Sequence, residues 1–112
     1  MERLPTRLWT DALIRRAQIS GAAAYVLQHG DDERGDVLLK IARLDGTAAI
    51  YAPSMDMDGE RIFLNLAMQG VGPDEASVDE YVQRARARDR DLWIVEIEDR
   101  EGRHFLTEKV ES

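Results

Sequence analysis

The chain contains no cysteine among its 112 residues. Disulfide bridges, thiolate nucleophiles and zinc sites built on cysteine are therefore excluded. Histidine is also scarce, since only two are present, and His29 and His104 lie far apart in the sequence. No apolar run approaches the ~18 residues of a membrane-spanning helix, and charges interrupt the first twenty residues, where a signal peptide would be apolar. We therefore expect a cytoplasmic protein without a membrane span.

Signatures of common enzymes are missing as well. The sequence has no G-x-S-x-G elbow, glycine-rich phosphate loop, H-E-x-x-H or C-x-x-C motif, each of which supports a defined chemistry. The net charge of −7 argues against nucleic acid as a partner, because binding to it depends on neutralising phosphates with basic side chains. No pattern indicates a cofactor, and we expect none.

What the sequence does contain is typical of a globular domain. Hydrophobic residues make up 44% of the chain and charged residues 33%. A chain of this length fits a single domain over residues 1–112 and buries roughly two-thirds of its unfolded surface. No internal repeat, low-complexity tract or linker divides it.

Apolar periodicity predicts two helices and six strands. The predicted helices cover residues 7–20 and 78–89. The predicted strands cover residues 22–28, 36–44, 47–53, 60–68, 91–98 and 103–107. The first four strands are expected to form an antiparallel meander, because Asp-Gly turns at 45–46 and 58–59 are strong hairpin signals. The order α-β-β-β-β-α-β-β indicates an α+β fold, with a mainly antiparallel sheet of five to six strands and both helices on one face.

The closing stretch DLWIVEIEDREGRHFL, residues 91–106, is the most informative segment. The composition from Asp99 to Gly102 predicts a tight turn with glycine in the left-handed region, and therefore a β-hairpin. The register set by that turn would place Glu98 opposite His104. One face of the hairpin would be the core face: Trp93, Val95, Ile97 and Phe105.

The Glu98–His104 pair has two interpretations. The simpler one is a cross-strand ion pair on an open face, which contributes roughly 0.2–1 kcal/mol. The alternative is a small acid–base or metal-dependent hydrolase, in which Glu96, Glu98 and His104 are the candidate catalytic residues.

Two further groups are weaker site candidates. Asp56, Asp58 and Glu60 alternate like ligands of a metal loop, although a turn between two strands has the same composition. The arginines from Arg84 to Arg90, with Arg15 and Arg16, could bind an anion or nucleotide. The residues from 84 to 90 would fan around their helix, however, so that complementing the helix dipole is a sufficient explanation.

The other face of the predicted hairpin motivates our first functional hypothesis. Leu92, Ile94 and Leu106 would surround Glu96 in an apolar patch that needs a cover. Trp9, Arg15 and Arg16 on the first helix could extend this surface. We therefore expect a non-enzymatic binding or protein-interaction domain, with a second copy or another protein as its partner.

Three stretches carry a likeness to a known family. They are LW..ALIRRAQ..GA.AYV near the start, GDVLLKIARLDG in the middle and DLWIVEIEDREGRHFL near the end. Together they resemble alphaproteobacterial proteins catalogued as domain of unknown function fourteen-ninety-one. The likeness spans nearly the whole chain and implies one compact cytoplasmic domain. It implies no activity, cofactor or functional residue.

Overall fold

The computed structural model describes residues 4–112 and contains two α-helices, six strands and a short 3-10 helix (Leu66–Gln69). The helices are α1 (Thr6–Ile19) and α2 (Glu75–Arg88). The strands are β1 (Ala23–Gln28), β2 (Val37–Ala42), β3 (Ala48–Met55), β4 (Arg61–Asn65), β5 (Trp93–Glu98) and β6 (Val110–Glu111). The predicted α+β class and the order of helices and strands are confirmed.

The strands form one mixed sheet in the order β1-β5-β2-β3-β4-β6. β1–β5, β2–β3 and β3–β4 are antiparallel, whereas β2–β5 and β4–β6 are parallel. The expected meander over residues 22–68 is therefore wrong in one respect, because β5 lies between β1 and β2. β2 is buried along its whole length and β5 along most of it. Such near-continuous apolar runs are typical of parallel strands inside a sheet.

The two helices cover opposite faces of the sheet, so the prediction that both pack on one face is wrong. Leu13 and Ala17 of α1 pack with Leu39 in one apolar cluster. Val78 of α2 packs with Leu38 in the other. Successive residues of a strand point to opposite faces. Because β2 is apolar on both faces, each face needs a cover. We call these faces the α1 face and the α2 face.

The predicted strand at residues 103–107 is absent from the structure, and with it the C-terminal hairpin. The turn itself forms as predicted: Gly102 has a φ of 72° and its N–H donates to the Asp99 carbonyl at 2.9 Å. The chain does not return beside β5, since β1 and β2 already occupy both edges of that strand. It crosses to the far edge of the sheet instead, where Val110 pairs with Phe63 of β4.

The start of each helix is fixed by a loop. α2 begins at Glu75, and the Asp74 carboxylate caps it by accepting the Ser77 N–H at 3.0 Å. At the start of α1, the N–H groups of residues 6 and 7 donate to carbonyl oxygens of the loop 29–36. This loop passes so close to Asp91 that a Cβ at Gly35 would lie 2.3 Å from the Asp91 carbonyl oxygen.

Candidate functional site

A buried lysine is the centre of a charge cluster in which three carboxylates share one ammonium group. Lys40 lies in the middle of β2, points to the α2 face and is almost fully buried. Its Nζ lies 2.7 Å from Glu75 Oε2, 2.6 Å from Asp79 Oδ1 and 3.2 Å from Glu96 Oε1. Two of these carboxylates come from the first turns of α2 and the third from β5. We call these four residues the Lys40 cluster.

The electrostatics of the Lys40 cluster keep the ammonium group charged. Burial alone would lower the pKa of Lys40, but the hydrogen bonds to Asp79, Glu75 and Glu96 outweigh burial and raise the pKa above its ordinary value. A lysine that acts as a general base or forms a Schiff base needs a lowered pKa instead. The geometry therefore gives Lys40 a structural role, which is to join α2 to β2 and β5.

The Lys40 cluster also explains why Glu96 stands among apolar residues. Glu96 is the parallel cross-strand partner of Lys40, and their side chains point to the same face. Ile94, two residues earlier, is fully buried beneath α2, and Leu92 is partly buried in the same apolar cluster. The protein's own helix thus covers the patch that was expected to need a partner.

His104 lies on the opposite side of the sheet from Glu96 and Glu98. Its ring meets Tyr51 edge-on with centroids 5.2 Å apart, and its Nδ1 accepts the Leu106 N–H at 2.9 Å. Burial lowers the pKa of His104. Because Tyr51 belongs to the core on the α1 face, the three candidate catalytic residues do not come together.

Glu98 has different neighbours from those predicted. Its cross-strand partners are Ala23 of β1 and Ala42 of β2, so the predicted pairing of Glu98 with His104 is wrong. The Glu98 carboxylate accepts a hydrogen bond from the Tyr25 hydroxyl at 3.2 Å.

The remaining members of the predicted interaction surface lie on or near the α1 face. Leu106 packs against the core on that face and not beside Leu92 or Ile94. Trp9 Nε1 donates to Glu108 at 2.7 Å, and Arg16 Nε donates to the Phe105 carbonyl at 3.0 Å. These bonds attach the C-terminal segment to α1. Arg15 is exposed.

The candidate metal loop is a turn held by its own side chain. Asp56 Oδ1 accepts the N–H groups of Asp58 and Glu60, each at 2.9 Å. Within residues 4–112, no group of three or more His, Asp or Glu side chains is arranged to hold a metal ion. In the arginine-rich helix, Arg84 pairs with Glu80 one turn away at 2.9 Å.

A second ion pair braces the turn after β5. Asp99 is buried, and its two carboxylate oxygens accept from Arg103 Nε at 3.0 Å and from its terminal nitrogen at 2.8 Å. The hydrogen bonds from Arg103 lower the pKa of Asp99. A shallow cleft of about 460 Å³ lies beside this turn, and both side chains of the pair line it.

The free edge of β1 is a feature that none of the predicted site residues includes. β1 is the first strand of the sheet and pairs only with β5 among the described strands. Its sequence, AAYVLQ, has no charged residue. Tyr25 and Val26 are 49% and 43% exposed, respectively. The opposite edge differs, because β6 has only two residues and one of them is Glu111.

The fold and these clusters define the class of protein: an α+β protein with a mixed six-stranded sheet between two helices. Within residues 4–112, neither helix has the length and apolar character needed to span a bilayer. A family model described as "Protein of unknown function (DUF1491)" matches residues 4–107. The chain belongs to this family, as its resemblance indicated.

Solved structures of similar proteins agree with the fold. A crystal structure of a DUF1491 family protein from Caulobacter crescentus is 45% identical, with a TM-score of 0.89 over 97% of this chain and 100% of that one. An NMR structure of a DUF1491 family protein from the same organism is also 45% identical, with a TM-score of 0.86 and full coverage of both chains. The solution structure of protein Atu0922 from A. tumefaciens is 28% identical, with a TM-score of 0.75 over 96% of this chain and 95% of that one. A comparison with curated proteins gave no match.

Proposed function

We propose that this protein is a non-enzymatic protein-interaction domain and that it binds its partner along the free edge of β1. The observation that carries this proposal is an uncharged six-residue strand at the rim of the sheet. A strand in this position presents a row of unpaired N–H and C=O groups, and natural proteins usually protect such an edge with charge, proline or very short strands. The β6 edge is short, whereas β1 has none of these three protections.

The usable part of the edge is short and well defined. β1 pairs regularly with β5 from Ala23 to Val26, and the register then shifts before Gln28. Such a bulge bends a strand and interrupts its ladder. In an antiparallel pair, every second residue directs its N–H and C=O away from the partner strand. An added strand could therefore bond to residues 23–26 and cover the exposed side chains of Tyr25 and Val26, a mode known as β-augmentation.

The roles of the ionisable side chains favour binding over catalysis. The Lys40 cluster joins α2 to the sheet, Asp99 is held by Arg103, and His104 is packed against Tyr51. Each of these groups thus has a structural contact of its own. A hydrolase built on Glu96, Glu98 and His104 would require residues from both faces of the sheet to meet.

The proposal is tested with a neutral extended peptide. A seven-residue peptide of alternating Thr and Val, blocked at both ends, is titrated into ¹⁵N-labelled protein, and amide chemical shifts are followed by NMR. We expect shifts at residues 23–26 and at their neighbours on β5. Val26→Lys should weaken binding at least about fivefold, because charge on an edge strand opposes pairing.

The matched control is Leu8→Lys, since Leu8 is 42% exposed, as Val26 is at 43%, but belongs to α1 and not to the edge strand. This variant should bind the peptide like the wild type. Shifts centred away from β1, or no shifts at millimolar peptide, would overturn the proposal.

A further inference from the structure

We infer that the segment that pairs with β1 is extended and cationic, with Lys or Arg side chains at alternate positions on the α2 face. This inference rests on the proposed function of the β1 edge and adds the chemical class of the partner. Three features carry it: the charge beside the edge, the size of the side chains on β1, and the small area of the edge.

The charge beside β1 on the α2 face is negative. Glu96 and Glu98 of β5 are the cross-strand partners of Tyr25 and Ala23, so their side chains point to the same face as those residues. Glu75 and Asp79 lie just beyond them around Lys40. Three carboxylates thus share one ammonium group, and Glu98 adds a further negative charge beside Ala23. The net charge of this region therefore favours a cationic neighbour.

The side chains of β1 leave a path to this charge. Ala23 has only a methyl group, and Glu98 lies directly behind it on β5. A residue added opposite Ala23 would be two strand spacings from Glu98, about 9.6 Å between Cα atoms. A Lys or Arg side chain lying over Ala23 can reach the Glu98 carboxylate over that distance.

Tyr25 supplies the second contact. Its hydroxyl donates to Glu98, which raises the pKa of the phenol and holds the ring on the α2 face. A cationic side chain opposite Tyr25 would lie on this ring, where a cation–π contact forms. On the other face, Val26 is exposed and favours an apolar neighbour. The pattern that fits therefore places cations opposite Ala23 and Tyr25 and an apolar residue opposite Val26.

The area of the edge favours a segment over a second copy of this chain. Stable protein pairs bury about 1,600 Å² in total, and regular pairing over residues 23–26 alone falls well short of that. A second copy would also bring another net charge of −7 to the contact. A short cationic segment can pair with a small edge and is attracted by its negative charge.

The test compares three blocked seven-residue peptides that alternate Val with Arg, Thr or Glu, titrated into ¹⁵N-labelled protein. The Arg peptide should bind residues 23–26 about tenfold more tightly than the Thr peptide, which corresponds to two exposed charge contacts. The Glu peptide should bind more weakly than either. Raising the salt concentration should weaken binding of the Arg peptide but not of the Thr peptide.

Glu98→Gln removes the negative charge beside Ala23 and keeps the size of the side chain. Glutamine keeps an acceptor for the Tyr25 hydroxyl, so that the variant should bind the Arg peptide at least threefold more weakly and the Thr peptide as before. Glu101→Gln is the control, because Glu101 is exposed on the turn and contacts Arg103 rather than β1.

The outcomes distinguish the two claims. Equal binding of the Arg and Thr peptides at β1 would overturn the cationic partner and leave the interaction edge intact. No binding of any peptide at β1 would overturn both. A stable dimer in sedimentation experiments, with β1 at its interface, would make a second copy the occupant and overturn the cationic segment.

Discussion

Replacing Lys40 by methionine tests what holds α2 to the sheet. Methionine has a similar length and keeps the apolar stem, so that the change removes the ammonium group alone. Glu75, Asp79 and Glu96 would then face one another without their shared cation. Removing one member of a buried ion pair costs about 3–5 kcal/mol, because the remaining charge stays buried.

The exposure of the three carboxylates sets the expected size of the effect. The side chains of Glu75 and Asp79 are 33% and 54% exposed, so both can turn towards water, but that of Glu96 is only 16% exposed. Only the Glu96 carboxylate would therefore stay buried without a cation. We therefore expect Lys40→Met to lower the free energy of unfolding by about 2–3 kcal/mol, below the range for a fully buried pair. The midpoint of thermal unfolding should fall by roughly 10 °C.

The assay is urea unfolding followed by tryptophan fluorescence and circular dichroism. The control is Lys109→Met, because Lys109 is exposed at 67% and its contact with Glu111 is 3.6 Å long. It should change stability by less than about 0.5 kcal/mol. Adding Glu96→Gln to Lys40→Met should restore at least half of the loss. A Lys40→Met protein as stable as the wild type, or a double variant no more stable than the single one, would show that the Lys40 ammonium group does not hold α2 to the sheet.

Three other predictions follow from the packing and the shifted pKa values. Gly35→Ala should destabilise the fold by about 2 kcal/mol or more in thermal unfolding, since its Cβ would lie 2.3 Å from the Asp91 carbonyl oxygen. An unchanged midpoint would show that the loop can move aside. Arg103 lowers the pKa of Asp99, so this ion pair stabilises the fold above pH ~4 and its contribution is lost as pH falls. Asp99→Asn should therefore lower the free energy of unfolding at pH 7 and flatten its decline below pH 4. A parallel decline in both proteins would contradict this. Burial lowers the pKa of His104, so the contribution of its neutral ring to stability is present above the ordinary value of about 6.5 and is lost as pH falls below it. The NMR titration of its ring protons should give a midpoint below 6.5. A higher midpoint would show that the ring is not buried in solution.

The helices and the central strands are predictable from local pattern. The apolar run of β2, interrupted only by Lys40, and the turn residues at Asp99–Gly102 each specify a local structure, and both form. The order of the strands in the sheet cannot be predicted in this way, because a turn signal does not say which strands have free edges. The closing hairpin fails for this reason: β5 is already paired on both sides when the chain leaves it.

The Lys40 cluster had a sequence signal that could have been used. β2 and β5 are apolar strands that each carry a charge of opposite sign near the middle, Lys40 and Glu96. Glu96 stands out by itself in the sequence, but its significance depends on a parallel pairing between strands more than fifty residues apart. The carboxylates of α2 join the cluster only once that helix is placed over β2. Local periodicity predicts neither the pairing of β2 with β5 nor the position of α2 over β2.

The edge position of β1 could not be predicted for a similar reason. The uncharged stretch of β1 is visible in the sequence, and such a stretch is equally suited to a central strand. Only the placement of β5 on one side, with no described strand on the other, turns the missing charge into an unprotected edge.

Amide hydrogen exchange along β1 measures directly whether the edge of this strand is open to a partner. In the isolated protein, amides from Ala23 to Val26 should alternate between slow exchange, where they bond to β5, and fast exchange, where they point outwards. The fast amides should slow when the Arg–Val peptide is added. Uniformly slow exchange in the isolated protein would show that the β1 edge is already covered and cannot bind an added strand.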